Sequence, residues 1–168
     1  MSFFFSSGSQ AFGTVAEGAA IALIQNNLNL YSRLQDTKNF AALYQVFTQD
    51  ASPIGLAGSL GDFPNNLTGI EEFLKAALDP FTTLHYSDTQ YVQLDPSGQA
   101  ATAVSYGQAV YFGDNAAVTG QICTYYETFT DEFILQNGMW LSKNKTIQIY
   151  VSSPRSSWLF YPPVETGR

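Results

Sequence analysis

Histidine occurs once in this chain, at position 85, within Thr82-Thr83-Leu84-His85-Tyr86-Ser87-Asp88. The stretch begins where helical spacing ends at Asp79-Pro80 and alternates as a strand does. Histidine is the side chain whose unperturbed pKa lies near neutrality, so a lone one entering a strand is a natural group for proton transfer. The alternative reading is a structural or surface histidine. Asp88 lies three residues further on, which strand alternation places on the opposite face, in solvent.

The rest of the composition narrows the chemistry that His85 can serve. Cysteine also occurs once, at Cys123, so no intramolecular disulfide can form, a zinc site of the Cys/His type is excluded, and a reducing, cytoplasmic setting is expected. Carboxylates do not cluster as a metal site would require. Gly55-Leu56-Ala57-Gly58-Ser59-Leu60-Gly61 lacks the lysine and the strand-to-helix context of a phosphate loop. No cofactor is therefore expected. A net charge of −7 without a basic cluster argues against nucleic-acid binding; the nearest pair of lysines, Lys143 and Lys145, is expected on one strand face. Met1 to Phe5 has neither the basic flank nor the apolar length of a signal peptide or membrane span.

The elements that must position His85 are legible in the hydrophobic spacing. With 168 residues, 45% of them hydrophobic and only 12% charged, one domain with an aromatic-rich interior is expected. Residues 1–13 read as a tail. Thr14-Val15-Ala16-Glu17 has capping-box spacing, and Ile21, Ile24, Leu28, Tyr31 and Leu34 then recur at helical intervals. Asp36-Thr37 can cap a second helix carrying Phe40, Leu43, Tyr44 and Phe47. A short strand and irregular loop follow from Ala51, and Thr68-Gly69-Ile70-Glu71 predicts the cap of a third helix that stops before Pro80. From Leu84 onward, runs 84–94, 100–112, 118–135 and 139–151 are rich in Thr, Val, Tyr and Ile. They are separated by Asp95-Pro96-Ser97-Gly98, Gly113-Asp114-Asn115 and Asn137-Gly138, the pattern of an antiparallel meander. Three helices followed by long, twisting strands predict an α+β fold, with helices on one face of a strongly curved antiparallel sheet that closes on an apolar pocket.

That order of elements resembles the NTF2-like superfamily and, within it, the SnoaL-like and scytalone dehydratase-like enzymes. The residues that carry the resemblance are Gln35-Asp36-Thr37-Lys38-Asn39-Phe40, Asp50-Ala51, Thr68-Gly69-Ile70, Asp79-Pro80 through Leu84-His85-Tyr86, and Asn137-Gly138-Met139-Trp140. It implies a cone over residues 14–151 that needs no cofactor and binds a small, apolar, oxygenated metabolite of polyketide or terpenoid type, which it dehydrates, isomerises or cyclises. It also implies a homodimer joined through the outer sheet face. Similarity to scytalone dehydratases carries over Asp36 and His85 as an acid/base pair, with the carboxylate holding the imidazole, although Asp36 can equally be a helix cap. The pattern departs at Gln35 and Gly55, where tyrosines holding a water are expected, and a second histidine is absent, so scytalone itself is not the expected substrate.

Further candidates surround the pair. Tyr31 can aim its hydroxyl at a substrate oxygen or simply pack, and Tyr106 and Trp140 can supply hydrogen bonds or stacking walls. Tyr126 is preferred over Glu127 as the inward residue on the family alignment alone, since neighbours in a strand face opposite ways. Two rivals remain: a pocket that folds or binds its ligand without proton transfer, and a non-enzymatic interaction module. An inward His85 within hydrogen-bond reach of a carboxylate favours the enzyme, and a filled cone the module. The tail 152–168 carries Trp158-Leu159-Phe160-Tyr161, apolar enough to need a surface, either as a lid over the pocket or packed outside.

Overall fold

The computed structural model describes residues 13–56, 64–113 and 122–153. The turn expected at Gly113-Asp114-Asn115, most of the glycine-rich segment and both tails beyond Gly13 and Ser153 lie outside these residues.

Helix α1 spans Val15–Asp36 and starts on a true capping box: the Thr14 hydroxyl accepts from the Glu17 backbone N–H, and the Glu17 carboxylate accepts from the Thr14 N–H. Its buried stripe is Ile24, Asn27, Leu28, Tyr31, Leu34 and Gln35. The helix ends where Lys38 adopts φ 57°, a left-handed conformation costing a non-glycine residue roughly 1–2 kcal/mol. That reversal lets the Asn39 N–H reach the Leu34 carbonyl at 3.0 Å.

Asp36 is consequently the last residue of α1 and does not cap the next helix, which corrects one of its two expected roles. The following segment is a six-residue 3-10 helix, Phe40–Gln45, preceded by Asn39 with no side-chain cap. Phe40 and Leu43 are buried there, Tyr44 is exposed, and Phe47 already begins strand β1. Helix α2, Leu67–Leu78, is capped by the Asn66 side chain rather than by Thr68, with the Gly69 N–H donating to it at 2.9 Å. Three helical segments thus precede β2, but the middle one is a short 3-10 turn, and α2 follows the first strand.

The strands are β1 (Phe47–Leu56), β2 (Phe81–Leu94), β3 (Ala100–Gly113), β4 (Ile122–Gln136) and β5 (Met139–Ser153), in the spatial order β1-β5-β4-β3-β2. The last four form the expected meander. β1 departs from it: it runs parallel to β5 at one edge, and α2 lies in the connection that carries the chain to β2 at the opposite edge. The β4–β5 hairpin turns on Asn137 and Gly138, at φ 52° and 79°, the left-handed pair that two-residue hairpins favour.

Four irregularities curl the sheet, one of them in the β1–β5 pairing between Phe47 and Ser52. Another lies on β2 between Ser87 and Gln90, and two lie in the β4–β5 pairing, where Lys143 and Tyr150 are the extra residues on β5. A bulge bends its strand and resets which positions face inward. Lys143 and Lys145 accordingly do not share a face, as alternation alone had suggested: Lys143 is exposed and Lys145 buried. α1 crosses the concave side against β2. There the buried Asn27 amide donates to the carbonyls of Gln45, Val46 and Trp140, tying α1 to the start of β1 and to β5.

Candidate active site

β2 turns Thr83, His85 and Ser87 toward α1, while Leu84 and Tyr86 face outward and are exposed. Because α1 ends over this strand, its last residue meets both inward side chains. Asp36 Oδ1 lies 2.7 Å from His85 Nδ1, and Asp36 Oδ2 accepts from the His85 backbone N–H at 2.9 Å. The Thr83 hydroxyl donates to Asp36 Oδ1 at 3.0 Å and accepts from Lys38 Nζ at 3.0 Å. The left-handed turn at Lys38 therefore aims a cation at the back of the pair.

Burial by itself would raise the Asp36 pKa. The ring and backbone hydrogen bonds from His85, the attraction of that ring when charged and the Thr83 hydroxyl outweigh it and hold the carboxyl below its ordinary value. An ionised carboxylate can only accept, so Nδ1 carries the hydrogen and Nε2 keeps its lone pair in the neutral ring. The His85 side chain is 8% exposed, and its ring packs edge-on against Tyr111 with centroids 5.9 Å apart.

His85 lines a narrow crevice with a cavity volume of about 10 Å³, room for about one water, which it shares with Tyr31, Gln35, Ser105, Glu127, Phe129 and Lys145 among others. The floor is built by the β5 bulge. With Lys143 looped out, Ser142 and Lys145 face the same way, and both reach Asp131 on β4: Lys145 Nζ at 2.7 Å and Ser142 Oγ at 2.8 Å. Lys145 and Asp131 are almost wholly buried, with side-chain exposures of 3% and 1%. The ammonium also lies 4.9 Å from the Tyr31 ring centroid and 4.5 Å from that of Phe129. Gly107 makes room for that arrangement, since a Cβ there would stand 2.7 Å from Phe129 Cε2.

Of the expected site residues, Asp36, His85 and Tyr31 come together here. Tyr106 and Tyr126 do not: both sit on the outer face of their strands and are about half exposed. The inward position on β4 belongs to Glu127, because Tyr125, Asp131 and Phe133, also at odd positions, are buried, and Tyr126 is forced out. Trp140 is buried with Ile24, Leu28, Ala101, Ala103 and Phe133 and does not itself line the pocket, which this cluster meets through Leu28. Asp88 is exposed on the far face. Glu127, Lys145 and Asp131 were not singled out from the sequence, although β4 alternation already left Glu127 as the only inward alternative to Tyr126. Burial pushes the Glu127 carboxyl up, and His85 and Lys145 only partly offset this. No group of three or more His, Cys, Asp or Glu side chains converges as a metal site would among the described residues.

Residues 16–146 match the SnoaL-like domain. The chain belongs to that family. No curated protein sequence matches it. Among solved structures, this SnoaL-like chain is similar to a proposed scytalone dehydratase from Novosphingobium aromaticivorans, at 14% identity over 91% of this chain and 98% of that one, with a TM-score of 0.73. It is also similar to the hexachlorocyclohexane dehydrochlorinase LinA-type3 from Novosphingobium barchaimii, at 15% identity over 88% and 98% of the two chains and a TM-score of 0.70. ActVI-ORFA from Streptomyces coelicolor aligns at 19% identity over 78% and 97%, with a TM-score of 0.59. At these identities the likeness establishes the fold, an α+β cone of the NTF2-like and scytalone dehydratase-like type.

The Asp36 geometry has a pH signature. A carboxyl with a lowered folded pKa contributes stability that is fully present above its unfolded pKa and is lost as pH falls through the folded value. Asp36→Asn should therefore melt below the wild type at neutral pH, with the gap shrinking as pH falls below the ordinary carboxylate value of about 4 toward the lower folded one. Thermal melts of both proteins across that range check this, and a gap independent of pH would contradict it.

Proposed function

We propose that this SnoaL-like protein is a cofactor-independent lyase, isomerase or cyclase in which His85 removes a proton from carbon next to a carbonyl of a small, largely apolar, oxygenated metabolite. The observation that carries this reading is the 2.7 Å contact between His85 Nδ1 and Asp36 Oδ1 inside a lined pocket. Asp36 fixes the ring so that Nε2 is the free base, and its charge stabilises the imidazolium that forms. Tyr31, Gln35 and Lys145 offer a hydroxyl, an amide and an ammonium to a substrate oxygen as it gathers charge. The aromatic walls keep water scarce, which strengthens each of these interactions. Elimination is also the reaction named for the dehydrochlorinase of the same fold, which supports this class of chemistry.

This reading is favoured over a pocket acting by shape alone because such a pocket needs no ion-paired imidazole. A nitrobenzisoxazole, whose ring opens once a base removes its carbon-bound proton, is a direct probe. His85→Ala should slow its opening by about 10²-fold or more with the circular dichroism spectrum unchanged. Wild-type rates in a folded His85→Ala variant would reject proton abstraction by His85.

We also propose a homodimer formed through the outer sheet face. Leu84, Tyr86, Tyr106 and Tyr126 leave an apolar surface there on three neighbouring strands. Sedimentation should show a concentration-dependent dimer weakened by Tyr106→Lys, and a monomer at every concentration would contradict it.

A further inference from the structure

The two nitrogen groups of the pocket, the His85 imidazole and the Lys145 ammonium, each have a carboxylate of their own, Asp36 and Asp131. Glu127 is a third carboxyl in the same space, and no hydrogen bond or ion pair holds it among the described residues. Its position follows from the strand register. Glu127 on β4 pairs with Gly107 on β3, and Gly107 pairs with Ser87 on β2, two residues along from His85. The two side chains thus rise from strands two spacings apart, about 10 Å across the sheet, and enter one cavity. The residue between them is a glycine, and the Phe129 ring lies over it, so close that a Cβ there would stand 2.7 Å from Cε2. His85 and Glu127 line the same crevice together with Phe129.

We propose that Glu127 is the proton donor of this pocket, delivering its proton to a substrate oxygen while His85 takes one from carbon. The inference rests on the base role of His85 and adds the group that closes the reaction. In an elimination, the C–H electron pair becomes the new C=C bond and the bond to the β-oxygen breaks. The departing oxygen takes the Glu127 proton and leaves as water or an alcohol. The site is then left with imidazolium and carboxylate, and passage of one proton from His85 to Glu127 restores both. An unpaired carboxyl among aromatic rings suits the donor role, since burial opposes its ionisation and keeps the O–H available. The groups facing it are His85 and Lys145, both cationic when protonated, with Asp36 and Asp131 behind them cancelling much of that charge. The substrate class sharpens accordingly: carbonyl compounds whose β-substituent is a poorly departing oxygen, which need an acid, rather than ones carrying a good leaving group.

The test compares a β-phenoxy ketone with its β-nitrophenoxy analogue, which lose a poor and a good leaving group through the same proton abstraction. Glu127→Gln keeps the shape of the side chain and removes the transferable proton. It should slow loss of phenol by about 10²-fold more than loss of nitrophenol. Equal losses for the two ketones, or none, overturn the donor role. His85→Ala slows both ketones alike if the base reading holds, so failure of either residue is distinguished from failure of the other. A wild type inert toward both ketones counts against both roles. Independently of turnover, carboxyl carbon NMR of the wild type, with the signal assigned by its loss in Glu127→Gln, should show Glu127 still protonated at a pH where the other glutamates have ionised. Titration together with the exposed glutamates overturns the proposal.

Discussion

Charge can enter an interior as aromatic as this one only in company. An isolated carboxylate or ammonium among Tyr31, Phe129 and Tyr111 would forfeit several kcal/mol of solvation, and the structure avoids that cost by pairing. Asp36 collects three donors, from the His85 ring, the His85 backbone and Thr83. Lys145 is closed on Asp131, which Ser142 also holds. Two satisfied pairs thereby flank one cavity, and the carboxyl left over, Glu127, is the group that burial drives toward its neutral form. The division of labour in the pocket follows from which groups have partners.

The pairs exist because of where regular structure breaks. A straight β5 would alternate Lys143 and Lys145 onto one face and Ser142 onto the other. Looping out Lys143 instead brings Ser142 and Lys145 to the same carboxylate. A longer α1 would carry Asp36 past β2, but the left-handed turn at Lys38 stops it there and sends the Lys38 ammonium to Thr83. Strain of this kind persists where surrounding contacts compensate for it, and here they converge on the base. Asn27, donating to three backbone carbonyls, keeps α1 at the depth at which these contacts form.

Much of this architecture was legible in the chain. The α1 capping box, the spacing through Leu34, the stop at Pro80 and the Asn137-Gly138 turn each follow from local chemistry, and local chemistry decided them. His85 stood out as the lone histidine, and its alternation correctly set Asp88 on the other face. What local pattern could not carry were the tertiary choices. The parallel pairing of β1 depends on a crossover, and the second helix shrank to a 3-10 turn because the chain reverses at Lys38. The bulge at Lys143 has no signature in Leu-Ser-Lys-Asn-Lys-Thr, so the buried Lys145–Asp131 pair was invisible. Tyr126 was preferred over Glu127 by analogy, where the run of buried odd positions from Tyr125 to Phe133 decides for Glu127. Tyr106 and Trp140 were plausible as types, but strand face and core packing remove them from the pocket.

The central claim is that Asp36 holds His85 with Nε2 bare toward the substrate. Because the chain has one histidine, nitrogen NMR of protein labelled only in histidine reports a single ring without assignment ambiguity. In the neutral state, the account predicts a protonated Nδ1 in a strong hydrogen bond and an unprotonated Nε2, with the hydrogen bond lost in Asp36→Asn. A ring carrying its hydrogen on Nε2, with Nδ1 bare, would mean that no base faces the pocket and would contradict the account.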